Sequence, residues 1–303
     1  MTASIVIVTR NRRDQALIAV RSALAQATEV EVLLYDDASD DDTADACDAV
    51  GDSRLKVIRG SRQQGYITLR NQGFKDALAP YVFSLDDDAW FSSIDAVEKT
   101  VTVFEADDTV GAVALAFVEP DRQQPAGNRE QVEGEQLASY RGCAHAVRRD
   151  LALGLGGYRE CLIHQGEERD LCIRILAAGS TVTYCQCSPV VHLYSPAARQ
   201  WSRSKYYGAR NMFLFEWWHT PLRYLPIRLA VTLINVMRYK VKLREIPNRI
   251  MACLSGLVGG VTHWRFREPL SVNAYKCYRT LPGHAPLALA LESELRDRFP
   301  PVE

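Results

Sequence analysis

The sequence carries almost no net charge. Its 36 lysines and arginines against 37 aspartates and glutamates leave a formal −1, so no global field draws the chain to nucleic acid or another polyanion. It has no C-x-x-C motif. Its eight cysteines are scattered, the nearest pair being Cys185-x-Cys187, which argues against a structural zinc site. Such thiols read as reduced, small core residues of a cytosolic protein. The opening Met1-Thr2-Ala3-Ser4 has no basic n-region, apolar h-region or cleavage site, so a cleaved leader is not expected. No uncharged apolar run reaches the ~18–20 residues that span a bilayer. The most apolar stretch, residues 225–237, is interrupted by Arg228. Internal repeats and low-complexity tracts are also missing. What remains is a 303-residue chain, 47% hydrophobic. That is enough for one large domain, or for a domain of roughly 200 residues with an appendage.

The first half alternates strand and helix patterns. Residues 4–8 (SIVIV) form a short β-branched run, as in a strand buried on both faces. Leu17, Val20, Leu24 and Ala27 then share one helical face. Residues 30–35 read as a second strand, 40–49 as a helix, 55–59 as a third strand and 66–79 as a helix. Residues 81–85 form a fourth strand that runs straight into Asp86-Asp87-Asp88. Ile94, Val97, Val101 and Phe104 mark another helix, followed by a strand over 110–117. This alternation predicts a mostly parallel sheet covered by helices. Residues 119–136 are polar and read as a long loop. The Gly154-Leu155-Gly156-Gly157 run neither follows the first strand nor opens a helix there, so it reads as a turn and not as a dinucleotide fingerprint. A helix over 168–178 ends at Gly179, a strand covers 181–185, and His192 follows Val190-Val191. Beyond about residue 197 the chain turns helical and basic.

Three carboxylate clusters fall near strand or helix ends: Asp36-Asp37, Asp86-Asp87-Asp88 and Glu167-Glu168. In open parallel sheets, ligands bind beyond the carboxyl ends of the strands. Three adjacent aspartates at the end of an apolar strand repel one another. A divalent cation removes that cost, and hard oxygen ligands suit Mg²⁺ or Mn²⁺ together with substrate phosphates. Asp86 and Asp88 stand in D-x-D spacing, so they leave an extended segment on the same side. Asp36-Asp37-Ala38-Ser39 fits either a capped turn or a carboxylate that accepts a nucleobase imide N–H. Arg70 could neutralise phosphate or brace the aspartates.

In order and spacing these pieces resemble the family 2 glycosyltransferases, whose fold is the GT-A type. The resemblance runs from Ile5-Val6-Ile7-Val8-Thr9-Arg10-Asn11-Arg12 through Tyr35-Asp36-Asp37-Ala38-Ser39-Asp40, Gly65-x4-Arg70-Asn71-x-Gly73 and Leu85-Asp86-Asp87-Asp88. It continues with Gly156-Gly157-Tyr158, Gly166-Glu167-Glu168-Arg169-Asp170-Leu171 and Val191-His192. It implies an α/β Rossmann-like donor-binding and catalytic domain over residues 1–200 and a C-terminal helical region over 201–303. It also implies a nucleotide-sugar donor (UDP-, GDP- or dTDP-linked), with Thr9, Arg12, Asp37 and Arg70 around the nucleotide. Asp86 would contact the ribose or metal region. Asp88 and His192 would hold Mg²⁺ or Mn²⁺, with Asp87 as the rival to Asp88. The base would be an acid at the start of the 168–178 helix. The family's usual Glu-Asp pair is Glu167-Glu168 here, a departure that keeps the carboxylate, and Glu168 is the expected base. Asp170 is expected to support the loop.

The implied reaction is an inverting, single-displacement transfer of the sugar to a hydroxyl acceptor: a glycan, a lipid-linked sugar or a small molecule. Trp90 and Phe91 could stack on a sugar ring, with His145, Tyr158 and His164 as further candidates. The aromatic and arginine-rich residues 203–218, with the basic-apolar stretch beyond Leu222, fit either a helical cap or helices lying on an anionic membrane surface. The expected location is therefore cytoplasmic, with peripheral contact to the cytoplasmic membrane face as the alternative to a free cap. Two other classes compete. A nucleotidyltransferase that makes nucleotide-sugars would open with a Gly-rich loop where this chain has Thr9-Arg10-Asn11-Arg12. A non-catalytic sugar-nucleotide binder would not need Asp88, Glu168 and His192 intact.

Overall fold

A computed structural model describes residues 1–120, 130–193, 201–238 and 242–287. Eight strands form one sheet in the order β3-β2-β1-β4-β7-β6-β8-β5. They are β1 Ala3–Thr9, β2 Val30–Asp36, β3 Leu55–Arg59, β4 Tyr81–Asp86, β5 Ala89–Phe91, β6 Val110–Val118, β7 His145–Arg148 and β8 Thr181–His192. The helices are α1 Arg13–Leu24, α2 Thr43–Asp48, α3 Tyr66–Asp76, α4 Ala96–Ala106, α5 Arg149–Gly154, α6 Glu167–Ala177, α7 Trp201–His219, α8 Leu225–Arg238, α9 Ile246–Thr262 and α10 Val272–Thr280.

The apolar runs become the buried centre of the sheet. Every residue of β2 and β6 is buried. β6 is the unbroken apolar run expected of a strand covered on both faces, and in β2 the buried Glu31 accepts from Ser4 Oγ and from the Leu78 N–H. The sheet is α/β in kind but mixed in direction. β3-β2-β1-β4 is parallel, β6 and β8 are parallel, and β7 and β5 join antiparallel. The two antiparallel insertions are only four and three residues long. They are too short for a period-2 pattern to show, so the sequence announces only the parallel half.

The motif glycines and Asn71 serve close packing. A side chain at Gly73 would stand 2.6 Å from a Val6 methyl on β1, so this glycine lets α3 lie against the sheet. The Asn71 amide clasps the expected turn at Gly156-Gly157. It accepts the Tyr158 N–H at 2.7 Å and donates to the Tyr158 carbonyl at 2.8 Å. Gly156 and Gly157 both have positive φ there.

The C-terminal region is joined to the sheet's own core. Leu214 and Trp218 of α7 belong to the same buried cluster as the strands. Asp170 of α6 fastens the junction. It accepts from Arg174 at 2.7 Å, His219 at 2.8 Å and Arg159 at 3.0 Å, all four side chains being buried. Burial works against its charge, but His219, Arg174 and Arg159 outweigh that and hold the carboxyl well below the usual carboxylate range. A depressed folded pKa contributes stability that is complete above the unfolded value of ~3.9 and is lost as pH falls through the folded value. Asp170→Asn should therefore cost about 3–5 kcal/mol near neutral pH, because it leaves buried guanidinium groups unpaired. Urea titrations of both proteins should show the gap narrowing only below about pH 4.

Candidate metal and donor site

The carboxyl ends of β1, β2 and β4 converge on one edge of the sheet, and each delivers a polar residue there. β4 ends at Asp86, and a turn through Asp87 and Asp88 leads into β5. β5 then pairs antiparallel with the end of β8, so Ala89 faces His192, and the Leu193 N–H donates to the Asp88 carbonyl at 2.9 Å. That short pairing carries His192 onto the aspartate turn. Ligand atoms of Asp86, Asp88 and His192 all lie within 4.8 Å of one another. His192 Nε2 stands 3.2 Å from Asp88 Oδ1 and 3.9 Å from Asp86 Oδ2.

The arrangement fits a divalent cation. His192 Nε2 is buried and makes no hydrogen bond within the described residues. Its other nitrogen, Nδ1, lies 3.2 Å from Glu119 Oε1. A carboxylate behind the ring, with the remaining nitrogen aimed at two carboxylates, is how metal-binding histidines are oriented. Burial opposes charge on the ring, but Cys143, Asp88 and Glu119 outweigh it and move the imidazole well above its ordinary pKa. A cation would thus enter in place of a proton. Two carboxylates suit Mn²⁺ or Mg²⁺, and the imidazole nitrogen beside them favours the softer Mn²⁺ of the two.

Asp87 points elsewhere. It accepts from Thr9 Oγ1 at 3.0 Å and from Arg12 at 2.7 Å. Arg12 also reaches Asp88 Oδ2 at 3.0 Å. Burial lifts the Asp87 carboxyl to about 6, with Arg12 pulling it down and Asp88 and Asp86 pushing it up. Of the two rivals, Asp88 is the one that stands with Asp86 and His192. Thr9 and Arg12 stand beside Asp87 at the mouth of β1.

The β2 exit is also held tightly. The Asp37 carboxylate accepts the N–H groups of Gln64 at 2.6 Å and Gly65 at 3.0 Å, fixing the loop that enters α3. Asp36 accepts from the backbone and hydroxyl of Ser39. Asn11 bridges to Ser39 and Asp40, stitching the first-strand loop to the second. Both Asp37 oxygens are engaged in bracing this wall.

Arg70, at the heart of α3, connects the two halves of the site. Its guanidinium donates to Asp86 at 2.5 Å and to the Gly142 carbonyl at 3.2 Å. Its other terminal nitrogen stands 3.7 Å from Glu167 and 4.0 Å from Glu168. Burial disfavours this charge, yet Asp86, then Tyr158, Glu168 and Glu167, keep the arginine firmly protonated. The two glutamates differ sharply. Glu167 is wholly enclosed, and neither of its oxygens makes a hydrogen bond within the described residues. Burial and the neighbouring Glu168 raise its pKa well above the carboxylate range against the pull of Arg70. The Glu168 side chain keeps 21% of its surface open. A side chain on Gly142 would come within 2.5 Å of Glu168 Oε1, so this glycine makes the space that Glu168 occupies.

Several residues of the site escaped sequence reasoning. Glu119 closes an apolar strand just as Asp86 does, and that position was the available clue. Gly142 carried no clue, since its neighbours come from α3 and α6. The proposed sugar platforms fare differently. Phe91 is a core residue, and Trp90 packs with Val118, Val191 and Leu287. His145 and Tyr158 are buried and hydrogen-bonded to each other at 2.8 Å. Phe91, His145 and Tyr158 are packing residues in this fold, and Trp90 is half-buried. His164 is half-buried and bonds to Ser204. Part of the expected long loop, residues 121–129, lies outside the described residues.

A mixed α/β sheet with carboxylates and a histidine at the strand ends is the GT-A arrangement of nucleotide-sugar-dependent transferases. Residues 4–153 match the family model described as glycosyl transferase family 2, and the chain belongs to that family. It is similar to the Escherichia coli UDP-Glc:alpha-D-GlcNAc-diphosphoundecaprenol beta-1,3-glucosyltransferase WfaP, with 30% identity over 120 residues, 39% of this chain and 47% of that protein. It is also similar to the Rhizobium meliloti succinoglycan biosynthesis protein ExoU, with 36% identity over 89 residues, 29% of this chain and 26% of that protein. These matches span less than half of either relative's length. Among solved structures, S. aureus TarS 1–349 in complex with UDP-GlcNAc superposes with a TM-score of 0.65 at 16% identity, over 83% of this chain and 79% of that one. The Pyrobaculum calidifontis mannosyltransferase PcManGT in complex with GDP-Man and Mn²⁺ gives 0.58 at 17% identity, over 99% and 81%.

Proposed function

We propose that this protein is an inverting glycosyltransferase that moves a sugar from a nucleoside-diphosphate donor to an acceptor hydroxyl. The reading rests above all on Arg70, whose guanidinium connects the Asp86–Asp88–His192 cluster to Glu168. The TarS and PcManGT complexes, with UDP-GlcNAc and with GDP-Man and Mn²⁺, favour UDP- and GDP-sugars as donors. Residues 1–200 would form the donor-binding and catalytic unit, with residues 201–303 as its helical extension.

The residues divide the work as follows. Asp86, Asp88 and His192 would hold Mn²⁺ or Mg²⁺, which when bound supplies positive charge to the departing diphosphate. Thr9, Arg12 and Asp87 shape the wall beside it, and Asp37 holds the 61–65 loop as the opposite wall. Glu168 takes the proton from the acceptor hydroxyl as its oxygen attacks the anomeric carbon and the bond to the diphosphate oxygen breaks. One displacement inverts that carbon. Glu167 is closed off from any acceptor, so Glu168 is the base, and Arg70 keeps its carboxylate at working distance from the cluster. For the acceptor, the name of the E. coli relative points to a sugar hydroxyl on a polyprenyl diphosphate. Such an acceptor would place the enzyme at the cytoplasmic face of a membrane.

Screening UDP- and GDP-sugars by thermal shift with and without Mn²⁺ tests the donor half. One donor series should raise the melting temperature only with the metal; no response to any would sink the reading. Gly142→Ala provides a finer test. Its methyl group should push the Glu168 carboxylate aside, lowering kcat by roughly ten- to a hundredfold. The urea midpoint should stay near wild type, because the nearest atom is the free end of a flexible side chain. The donor KM reads any accompanying shift of Arg70, whose terminal nitrogens would lie 3.2 and 3.4 Å from the same methyl.

A further inference from the structure

The α9 helix has its faces the wrong way round for a helix in water. Past Arg249 in its first turn, the side it turns to the protein is made of small residues: Ala252, Cys253, Gly256, Gly259 and Gly260 are all buried. These glycines let α7 approach closely. An added side chain would stand 2.6 Å from Phe213 at Gly256, 2.7 Å from Trp217 at Gly260 and 3.0 Å from Leu214 at Gly259. The large apolar residues face outward instead. Ile250, Leu254, Leu257, Val258 and Val261 form an exposed row at helical spacing, with Met251 beside it. A helix in water buries its large apolar residues and exposes polar ones. Small residues inside and large apolar ones outside is the pattern of helices that meet lipid.

The neighbouring helix extends this face. On α8, Ile227, Leu233 and Ile234 are exposed. Between the two helices runs an apolar groove of about 520 Å³, lined by residues that include Leu229, Leu233, Met237, Ile250 and Leu257. Trp264, just past α9, is 74% exposed. Among the described residues, twelve of the eighteen large apolar side chains that are exposed lie between positions 222 and 264. No described helix is long and apolar enough to cross a membrane.

Charge selects the partner. Arg223, Arg238, Lys242, Arg244 and Arg265 are exposed around this face. The only acid from position 222 to 267 is Glu245, and it is taken up by Lys205 at 2.5 Å and Arg249 at 3.4 Å. Two copies pressed together here would bring like charges into contact with no free acid between them. An anionic bilayer offers hydrocarbon to the row and phosphates to the cations.

We infer that the α8–α9 face docks on an anionic membrane surface, with α9 lying in the plane of the interface. The inference deepens the proposed lipid-linked acceptor, since it would hold the catalytic site beside the membrane. α7, which packs on α9, also grips the loop ahead of the base. Asn211 donates to the carbonyls of Leu162, His164 and Gln165, directly before Glu167 and Glu168.

Flotation of the full chain with vesicles tests this, using phosphatidylcholine alone or phosphatidylcholine with one part in three phosphatidylglycerol. The wild type should float with the anionic vesicles and stay behind with the neutral ones. Replacing Arg238, Lys242 and Arg244 together by glutamine should weaken binding roughly a hundredfold, each cation near an anionic surface contributing about a factor of five. The pair Leu254→Glu and Val258→Glu should abolish flotation. All variants should keep the wild-type melting temperature and Mn²⁺ affinity. Absence of wild-type flotation, or flotation unchanged in both variants, would overturn the inference. So would a dimer in light scattering that the Leu254→Glu and Val258→Glu pair dissolves while no lipid is bound. Mn²⁺ binding read alongside separates the two ideas: intact binding without flotation removes only the membrane contact, and flotation without Mn²⁺ binding removes only the metal-site reading.

Discussion

Glu168→Gln is expected to lower kcat by roughly a hundred- to ten-thousandfold, the range for removal of a general base, while donor affinity stays within about twofold of wild type. The substitution preserves shape and the space above Gly142, and removes only the ability to accept a proton. Glu167→Gln provides the contrast. That carboxyl is enclosed, and burial and Glu168 push its pKa well up, so an uncharged amide of the same size should be tolerated there. Its effect on kcat should be within about tenfold. Single-turnover measurements at saturating donor would separate the chemical step from release. If Glu167→Gln were the more damaging change, the assignment of the base would have to move by one residue.

The second large effect is expected at Asp88. Asp88→Ala should eliminate Mn²⁺-dependent donor binding in calorimetry and lower turnover by roughly a thousandfold or more, since a metal that neutralises a leaving group supplies several kcal/mol. Asp88 is the carboxylate nearest His192 Nε2, so its loss opens the cluster on the buried side. Asp87→Asn should behave differently. It breaks the pair with Arg12, so it should weaken donor binding without removing the metal response. Glu119→Gln, acting behind His192, should cost about ten- to a hundredfold in metal affinity, as for other carboxylates that orient a metal-binding histidine. Equal losses at Asp87 and Asp88 would contradict the division of roles that the turn geometry suggests.

Much of the fold was legible in the sequence because buried parallel strands have no solvent face to encode. β6 is an unbroken apolar run, β1, β2 and β4 are mostly apolar with Ser4, Glu31 and Ser84 within them, and their ends are marked by acids or by the next helix. The β5 and β7 strands were illegible for the opposite reason. They are held by neighbours already in place, and three or four residues carry no period. That gap mattered for the site, since β5 is what sets His192 over Asp88. The aromatic residues around it were open for a similar reason: Phe91 read equally as a platform or as core, His145 and Tyr158 were lesser candidates, and only their burial puts all three in the packing.

The sequence by itself determined the order of the longer strands along the chain, the family and the clusters that could carry charge near strand ends, because apolar runs and local spacings are properties of neighbouring residues. Only the tertiary structure decided which of three adjacent aspartates faces His192, which of two adjacent glutamates stays open, and which side of α9 is turned outward. Those outcomes depend on contacts between residues far apart in the chain. Thr9 holds Asp87 toward β1, the space beside Gly142 admits Glu168, and α7 takes the glycine face of α9 and leaves its leucines and valines outside.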